Sequence, residues 1–159
     1  GAFDLISSRF RIEKIKTIGD SYMAAGGIPV PFADSVRNTV LAALQMQAFM
    51  QERCRERTES GKIGFRMRIG IHTGSVVAGI VGLNKFHYDI WGDTVNTAAR
   101  METSGVAERV NVSISTFEIL KNDRQFRFVA RGPVEAKHKG LVEMFFVEMA
   151  DDGKSSASA

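Results

Sequence analysis

Short runs of β-branched and aromatic residues open the chain. Residues 12–18 and 22–25 form two such runs around Gly19-Asp20-Ser21. Two β-prone runs on either side of a Gly-Asp pair predict a β-hairpin. Phe3, Leu5 and Ile6 precede the first run without a polar leader. This apolar start indicates that the chain begins inside an ordered element, which leads directly into the hairpin.

Farther along, the spacing of apolar residues changes to that of a helix. Residues 34–57 place them at Val36, Val40, Ala43 and Leu44, a period of about 3.6 that predicts an amphipathic helix. Asp34 is the expected N-cap of this helix. A second helix is predicted from Thr94, as its N-cap, to about Thr103, with Gly105 closing it.

Alternating apolar and polar residues predict the remaining strands. In residues 66–71, Met67, Ile69 and Ile71 face one way and Arg66, Arg68 and Gly70 the other, as in a half-buried strand. Residues 86–91 and 110–114 predict two more strands, and a short helix is expected over 115–120. The last strand pair is predicted at 126–131 and 141–148, joined by residues 132–140. These elements indicate one α+β domain over residues 1–150 and a disordered tail over 151–159.

Composition narrows the function classes. The chain has 159 residues, of which 44% are hydrophobic, 25% charged and only 3 are proline, which indicates a folded domain. No apolar run reaches the roughly 18 residues of a membrane span, so we expect no membrane contact from this segment. A single cysteine, Cys54, excludes an internal disulfide framework and favours a cytoplasmic setting. The net charge of +3 is spread along the chain, which argues against a nucleic-acid partner.

The first candidate site lies on the hairpin. On an extended strand, alternate residues share a face, so Lys16, Ile18 and Asp20 are expected to point the same way. A carboxylate at a hairpin tip is suited to Mg²⁺, which proteins hold with one or two carboxylates together with phosphate oxygens of a substrate. Alternatively, Lys16 is a solvated strand residue and Asp20 a turn residue chosen for its backbone geometry.

The other candidates lie in the second half of the chain. Asp89 stands between Tyr88 and Ile90, where it could accept a hydrogen bond from the amine of a base or pair with a nearby arginine. Asn96 and Arg100 share one helical face and suit a ribose and a phosphate, unless they pair locally with Asp93 or Glu102. Lys137 and Lys139 form a basic loop tip that could bind a terminal phosphate or simply be solvated. His72, which lacks a partner at metal-ligand spacing, is expected to be structural, and His87 and Cys54 carry no signal.

The residues of three segments, and the order of these segments in the chain, favour the functional alternative for each candidate. Residues 13–27, EKIKTIGDSYMAAGG, closely resemble the strand-turn-strand signature of class III nucleotidyl cyclase catalytic domains. Residues 68–74, RIGIHTG, and 88–102, YDIWGDTVNTAARME, resemble the second and third blocks of the same family. The resemblance runs from about residue 12 to 147. It implies the family's ferredoxin-like βαββαβ fold and the conversion of ATP to cyclic AMP and pyrophosphate.

The resemblance also implies a role for each candidate. Lys16 and Asp89 match the two positions that read the adenine ring, and Asp20 matches one of two aspartates that bind Mg²⁺ or Mn²⁺, with two ions expected in the intact domain. Asn96 matches the residue that orients the ribose and Arg100 the one that stabilises the reacting phosphorus. For the outer phosphates, the matching residues are Lys137 and, less directly, Lys139.

The family implies a partner as well. Its active sites lie between two catalytic domains, and a chain that carries residues of both half-sites is typical of a homodimer with two equivalent sites. The usual domain also begins with a central strand that bears the other metal-binding aspartate, followed by a helix. This strand and helix are expected to precede Gly1 in the family's pattern. With one carboxylate, this chain alone is expected to bind metal weakly and to have little cyclase activity.

Two other functions stay open. A non-catalytic dimerising or nucleotide-sensing module could have kept the fold, although the joint presence of the candidate residues favours the enzyme. A ferredoxin-like RNA-binding domain would need exposed aromatic residues on adjacent strands. The candidates for such a surface are Phe126, Phe128, Phe145 and Phe146.

Overall fold

The computed structural model describes residues 1–151, which form four helices and eight strands. The predicted hairpin and both predicted longer helices are present, and the α+β class is confirmed. The elements in chain order are α1 Ala2–Arg9, β1 Ile12–Ile18, β2 Ser21–Gly26, α2 Ser35–Glu59, β3 Ile69–Ile71, β4 Val77–Val81, β5 His87–Trp91, α3 Asp93–Thr103, β6 Val110–Ser113, α4 Ile114–Leu120, β7 Phe126–Ala136 and β8 Gly140–Met149.

A four-stranded sheet organises the second half of the chain. Its strand order is β3-β6-β8-β7, in which β3 and β6 are parallel and the other neighbouring pairs are antiparallel. The β1–β2 and β4–β5 hairpins are two separate antiparallel pairs outside this sheet. Helix α3 lies between β5 and β6 in the chain, so it forms part of the crossover that makes β3 and β6 parallel.

The sheet packs helices on both of its faces. On one face, Val40 and Ala43 of α2 join Val110, Val112 and Val147 in the larger hydrophobic core. On the other face, Met101 of α3 packs with Ala136 and Met144. Because both faces are covered, strand β6 is buried at all four positions. Helix α3, the predicted carrier of two site residues, is thereby fixed against the sheet by its fully buried Met101.

Several boundaries differ from the sequence predictions. The chain begins with an eight-residue helix, which the apolar start did not identify as helical. Residues 77–81, for which no strand was predicted, form strand β4, because they pair with β5. Strands β7 and β8 continue through the predicted 132–140 connection, since Gly132, at a φ of 70°, accommodates a bulge within β7. The turn between these strands is therefore only residues 137–139.

Of the predicted helix starts, the Asp34 N-cap of α2 is confirmed, whereas the Thr94 N-cap of α3 and the strand assignment of Ile114 are wrong. The N-cap of α3 is Gly92, not Thr94, whose hydroxyl instead donates a hydrogen bond to the carbonyl of Ser75. Asp34 does occupy the N-cap position of α2, but its side chain makes no capping hydrogen bond. Ile114, expected on a strand, begins α4. The predicted disordered tail lies, apart from Asp151, outside the described residues.

Candidate functional site

Lys16 and Asp89 meet, although 73 positions separate them in the chain. Lys16 Nζ donates to Asp89 Oδ2 at 2.9 Å, which joins strand β1 to strand β5. The backbone N–H of Ile90 donates to the other oxygen, Oδ1, at 2.8 Å. The Lys16 hydrogen bond is the main cause that lowers the pKa of the Asp89 carboxyl. The predicted alternative, a strand-end acid paired with an arginine, is wrong, because the partner is this lysine.

This pair offers a hydrogen-bond donor beside an acceptor. An ammonium only donates and an ionised carboxylate only accepts, so together they can bind the edge of a ring that presents one acceptor and one donor. Asp89 is mostly buried, with 15% of its side chain exposed, whereas Lys16 is 36% exposed. His87, on the same face of β5, lies 4.0 Å from Asp89 Oδ2. The Asp89 carboxylate is thus held by Lys16 and by the N–H of Ile90, whereas the Lys16 side chain stays partly accessible to a ligand.

Asp20 occupies the tip of the β1–β2 hairpin. Ile18 and Ser21 are the last paired residues, so Gly19 and Asp20 form a two-residue turn, with Gly19 at a φ of 59°. A glycine at the first turn position adopts this positive φ without strain. Because Asp20 lies in the turn, the expected alternation with Lys16 and Ile18 does not extend to it. Its exposed carboxylate makes no ion pair within the described residues.

Asn96 and Arg100 lie one turn apart on helix α3. The side chain of Asn96 is exposed and that of Arg100 is half-buried. The local pairing that would have explained them is wrong, because Glu102 lies 3.6 Å from Arg68 and Asp93 pairs with Lys139. An amide and a guanidinium are consequently both available on one helical face.

The basic turn between β7 and β8 contacts the start of α3. Lys139 Nζ donates to Asp93 Oδ1 at 2.6 Å, and this hydrogen bond is the main cause that lowers the pKa of Asp93. Lys137, two positions earlier, is exposed and forms no ion pair within residues 1–151. The structure thus separates the two predicted phosphate-binding lysines: one is held by an acid and one is free. The contribution of Asp93 was not predicted, and its position in the first turn of α3 was the only sequence signal for it.

His72 lies behind the start of α3. Its Nδ1 is 2.6 Å from the hydroxyl of Ser113, which is 2% exposed. Burial lowers the pKa of His72, an effect that Asp93 opposes and Lys139 reinforces. The folded state therefore favours the neutral form of this ring.

This burial predicts a dependence of stability on pH. Since the pKa of His72 is lower in the folded than in the unfolded chain, protonation below the ordinary value of 6.5 favours unfolding. The melting temperature of the wild-type chain is expected to fall between about pH 7 and about pH 5.5, and His72→Gln should reduce that fall. His138→Gln, an exposed control, should leave it unchanged. Equal falls in the wild type and His72→Gln would contradict the prediction.

The described residues lack two features, a preformed metal-binding cluster and a membrane-spanning helix. Residues 1–151 contain no cluster of three or more His, Cys, Asp and Glu side chains arranged to hold a metal ion. A single carboxylate such as Asp20 is compatible with Mg²⁺ only where other oxygens complete the coordination, as substrate phosphates do. Among the same residues, none of the helices has the length and apolar character needed to cross a membrane.

The aromatic residues considered for RNA are mostly committed to packing. Phe126 is buried, and Phe128 and Phe145 pack against the larger core. Phe145 stacks on Phe117 with ring centroids 3.9 Å apart. Phe146 lies under the guanidinium groups of Arg109 and Arg131, at 4.0 and 4.4 Å from its ring centre. An open stacking platform on adjacent strands is therefore not supported.

Comparison with known proteins identifies strong similarities. A family model for the adenylate and guanylate cyclase catalytic domain matches residues 1–149. The human guanylate cyclase soluble subunit beta-2 is 38% identical over 145 residues, which cover 91% of this chain and 23% of that protein. The germination-specific adenylate cyclase of Dictyostelium discoideum is 38% identical over 148 residues, which cover 92% of this chain and 17% of that protein. The chain thus spans less than a quarter of the length of these relatives.

Solved structures agree with the predicted fold. The guanylate cyclase domain of RhGC from Catenaria anguillulae, in complex with GTP, superposes with a TM-score of 0.84 at 31% identity. The match covers 94% of this chain and 79% of that one. The predicted cyclase fold is confirmed. The relatives carry the names of both nucleotides, so family membership leaves the choice of base to the residues of the site.

Proposed function

This chain belongs to the class III adenylate and guanylate cyclase catalytic domain family, and on that basis we propose that it binds ATP and forms 3′,5′-cyclic AMP and pyrophosphate. The observation that carries the choice of ATP is the 2.9 Å ion pair between Lys16 and Asp89. Adenine presents an acceptor nitrogen beside an exocyclic amine, which this donor and acceptor complement. Guanine presents an N–H and a carbonyl oxygen instead, and the oxygen would face the carboxylate of Asp89.

Helix α3 and the β7–β8 turn would hold the rest of the nucleotide. Asn96 would hydrogen-bond the ribose, and Arg100, one turn away on α3, would neutralise charge on the α-phosphate. Lys137 would bind the outer phosphates, and Lys139 stays a second candidate. In the reaction, the ribose 3′-oxygen forms a bond to the α-phosphorus as the bond to pyrophosphate breaks. Alignment and charge neutralisation by these side chains would supply most of the acceleration.

Asp20 would hold the divalent cation that accompanies the nucleotide. The family's dependence on Mg²⁺ or Mn²⁺ agrees with an exposed carboxylate that has no other partner among the described residues. When bound, the cation would stabilise the negative charge of the attacking oxygen and of the phosphate. With one such carboxylate, weak metal binding and low turnover by this chain alone stay predictions.

Nucleotide binding provides the direct test. Calorimetric titration of the chain with ATP and with GTP, each with Mg²⁺, should give a dissociation constant at least about tenfold lower for ATP, since one mismatched charged hydrogen bond costs at least this much. A chromatographic assay for cyclic AMP then separates an enzyme from a module that only binds. Equal affinity for both nucleotides, or preference for GTP, would contradict the choice of ATP.

A homodimer is the proposed active assembly. Asp20 lies in the turn of the β1–β2 hairpin, whereas Asn96 and Arg100 lie on helix α3. Within residues 1–151, no hydrogen bond joins Asp20 to these two residues. The β4–β5 hairpin exposes large apolar side chains, with Ile80 73% and Phe86 73% exposed. Large apolar side chains exposed on one hairpin favour burial against another chain. A two-fold interface would bring Asp20 of one subunit opposite Asn96 and Arg100 of its partner.

Mixing two inactive variants tests this shared site. Asp20→Ala and Arg100→Ala should each abolish turnover, because each removes one half of both sites. In a random mixture, half of the dimers carry one intact site out of two, so about one quarter of the wild-type rate should return. Either variant mixed with itself is the control. A mixture as inactive as its components, under conditions where the wild type turns over, would contradict the shared site.

A further inference from the structure

The turn that carries Lys137 is fixed to helix α3 by one ion pair. Lys139 is at the tip of the hairpin formed by β7 and β8, yet only 21% of its side chain is exposed, because Nζ turns inward to Asp93 Oδ1 at 2.6 Å. Asp93 is the first residue of α3, the helix that also carries Asn96 and Arg100. The contact therefore joins the β7–β8 turn to helix α3 through two residues that are 46 positions apart in the chain.

The backbone of the turn is already compact. His138 and Gly140 have positive φ angles of 65° and 71°, and the N–H of Lys139 donates to the carbonyl of Ala136 at 3.0 Å. This conformation sends Lys137 and Lys139 in different directions, so Lys137 is exposed while Lys139 reaches Asp93. A side chain at the tip of a long hairpin would otherwise move with it. The ion pair removes that freedom at one position and leaves the neighbouring lysine free.

We propose that Asp93 and Lys139 act as positioning residues, which hold the β7–β8 turn so that Lys137 stays at a set distance from Asn96 and Arg100. This proposal rests on the proposed function, because it assigns Lys137 to the outer phosphates and α3 to the ribose and α-phosphate. Lys139 then acts through Asp93 and does not bind phosphate itself. Since the triphosphate spans both elements, a turn free to move would lose alignment with the α-phosphate end of the nucleotide.

The placement of Asp93 favours positioning over a role in folding. Its side chain is 82% exposed, and ion pairs at exposed positions contribute little to folding stability. Removing the carboxylate should therefore leave the melting temperature within about 1 °C of the wild type. What changes is the mobility of the turn and the binding of the part of the nucleotide that reaches it.

Amide hydrogen exchange measures how often the β7–β8 turn opens, and it needs no nucleotide. In Asp93→Asn, the amide of Lys139 should exchange at least about threefold faster than in the wild type, because the turn opens more often. The matched control is Glu118→Gln, which removes an exposed ion pair of similar length, 2.7 Å, between Glu118 and Lys121. Its exchange at Lys139 should be unchanged. Unaltered exchange in Asp93→Asn would overturn the proposal whatever the domain binds.

Nucleotide affinity measures the consequence. Calorimetry on the complete chain with Mg²⁺ should show about fivefold weaker ATP binding by Asp93→Asn, with AMP affinity within about twofold, since AMP lacks the outer phosphates. In a Lys137→Gln background, Asp93→Asn should cause no further loss of ATP affinity. Additive losses, or loss of ATP affinity in Lys139→Gln but not in Asp93→Asn, would overturn the proposal in favour of direct phosphate binding by Lys139. A wild type that binds neither ATP nor GTP would overturn the proposed function, even if the exchange result stands.

Discussion

The Gly70→Ala variant is expected to lower the free energy of unfolding by about 3 kcal/mol, at the upper end of the usual cost of overpacking. Gly70 is the middle residue of β3, and a Cβ atom there would lie 2.6 Å from the Cα of Glu102 and closer still to backbone atoms of Met101 and Glu102. Backbone atoms of a packed helix cannot rotate away as a side chain can. Helix α3 would have to move off the strand, and the buried Met101 with it.

This displacement should appear in both stability and binding. For a domain of this size, the melting temperature is expected to fall by about 6–12 °C. ATP binding should be lost as well, because Asn96 and Arg100 move with α3. Gly79→Ala in strand β4 is the control: its Cβ would meet only a ring atom of Trp91, at 3.3 Å. A Gly70→Ala chain that melts within about 2 °C of the wild type would show that β3 and α3 do not pack as closely as described.

Gly70 also illustrates where sequence patterns stop being informative. Alternation in residues 66–71 placed Gly70 on a polar face with Arg66 and Arg68. In the structure that face of β3 is covered by α3, and only the absence of a side chain lets the helix approach. A pattern of apolar and polar residues identifies one buried face. It gives no information about a second face that is buried against backbone.

Strand β6 shows the same limit for polar residues. The alternation over 110–114 correctly predicted a strand, but its polar residues Asn111 and Ser113 are only 0% and 2% exposed. Asn111 Nδ2 donates to the carbonyl of Met101 at 2.9 Å, and its Oδ1 accepts from Arg131. Ser113 contacts His72. A buried polar side chain is stable where such partners exist, and the partners come from other elements, which no local window contains.

The site divides in a similar way. Local signals, namely β-prone runs, helical periodicity and capping residues, predicted the β1–β2 hairpin, helix α2 and helix α3, since each element depends on residues close in sequence. The meeting of Lys16 with Asp89 depends on the packing of β1 against β5, so only the resemblance to a known family could predict it. The pair formed by Asp93 and Lys139 was missed for the same reason. Its members lie on elements that come together only in the folded chain.

Replacing both residues of the proposed base-reading pair, Lys16 and Asp89, is expected to change the preference for ATP over GTP. Lys16→Glu with Asp89→Cys replaces a donor and an acceptor by an acceptor and a nearly neutral group. A glutamate at position 16 can accept hydrogen bonds from the N–H groups of guanine. Loss of the Asp89 carboxylate also removes its repulsion of the guanine carbonyl oxygen. Hydrogen bonds to charged groups contribute about 1.5–3 kcal/mol each, so the ratio of ATP to GTP affinity should fall about 100-fold or more.

The single variants show why both changes are needed. Lys16→Glu alone places a second carboxylate opposite Asp89, where Lys16 Nζ now lies 2.9 Å from Oδ2, and two like charges this close repel. Asp89→Cys alone leaves Lys16 without its partner. Each single variant should therefore lose ATP affinity without gaining GTP affinity, whereas the double variant gains it. Arg37→Gln, which breaks the 2.7 Å pair with Asp123, should alter neither affinity. If the double variant still prefers ATP in calorimetric titrations, Lys16 and Asp89 do not read the base.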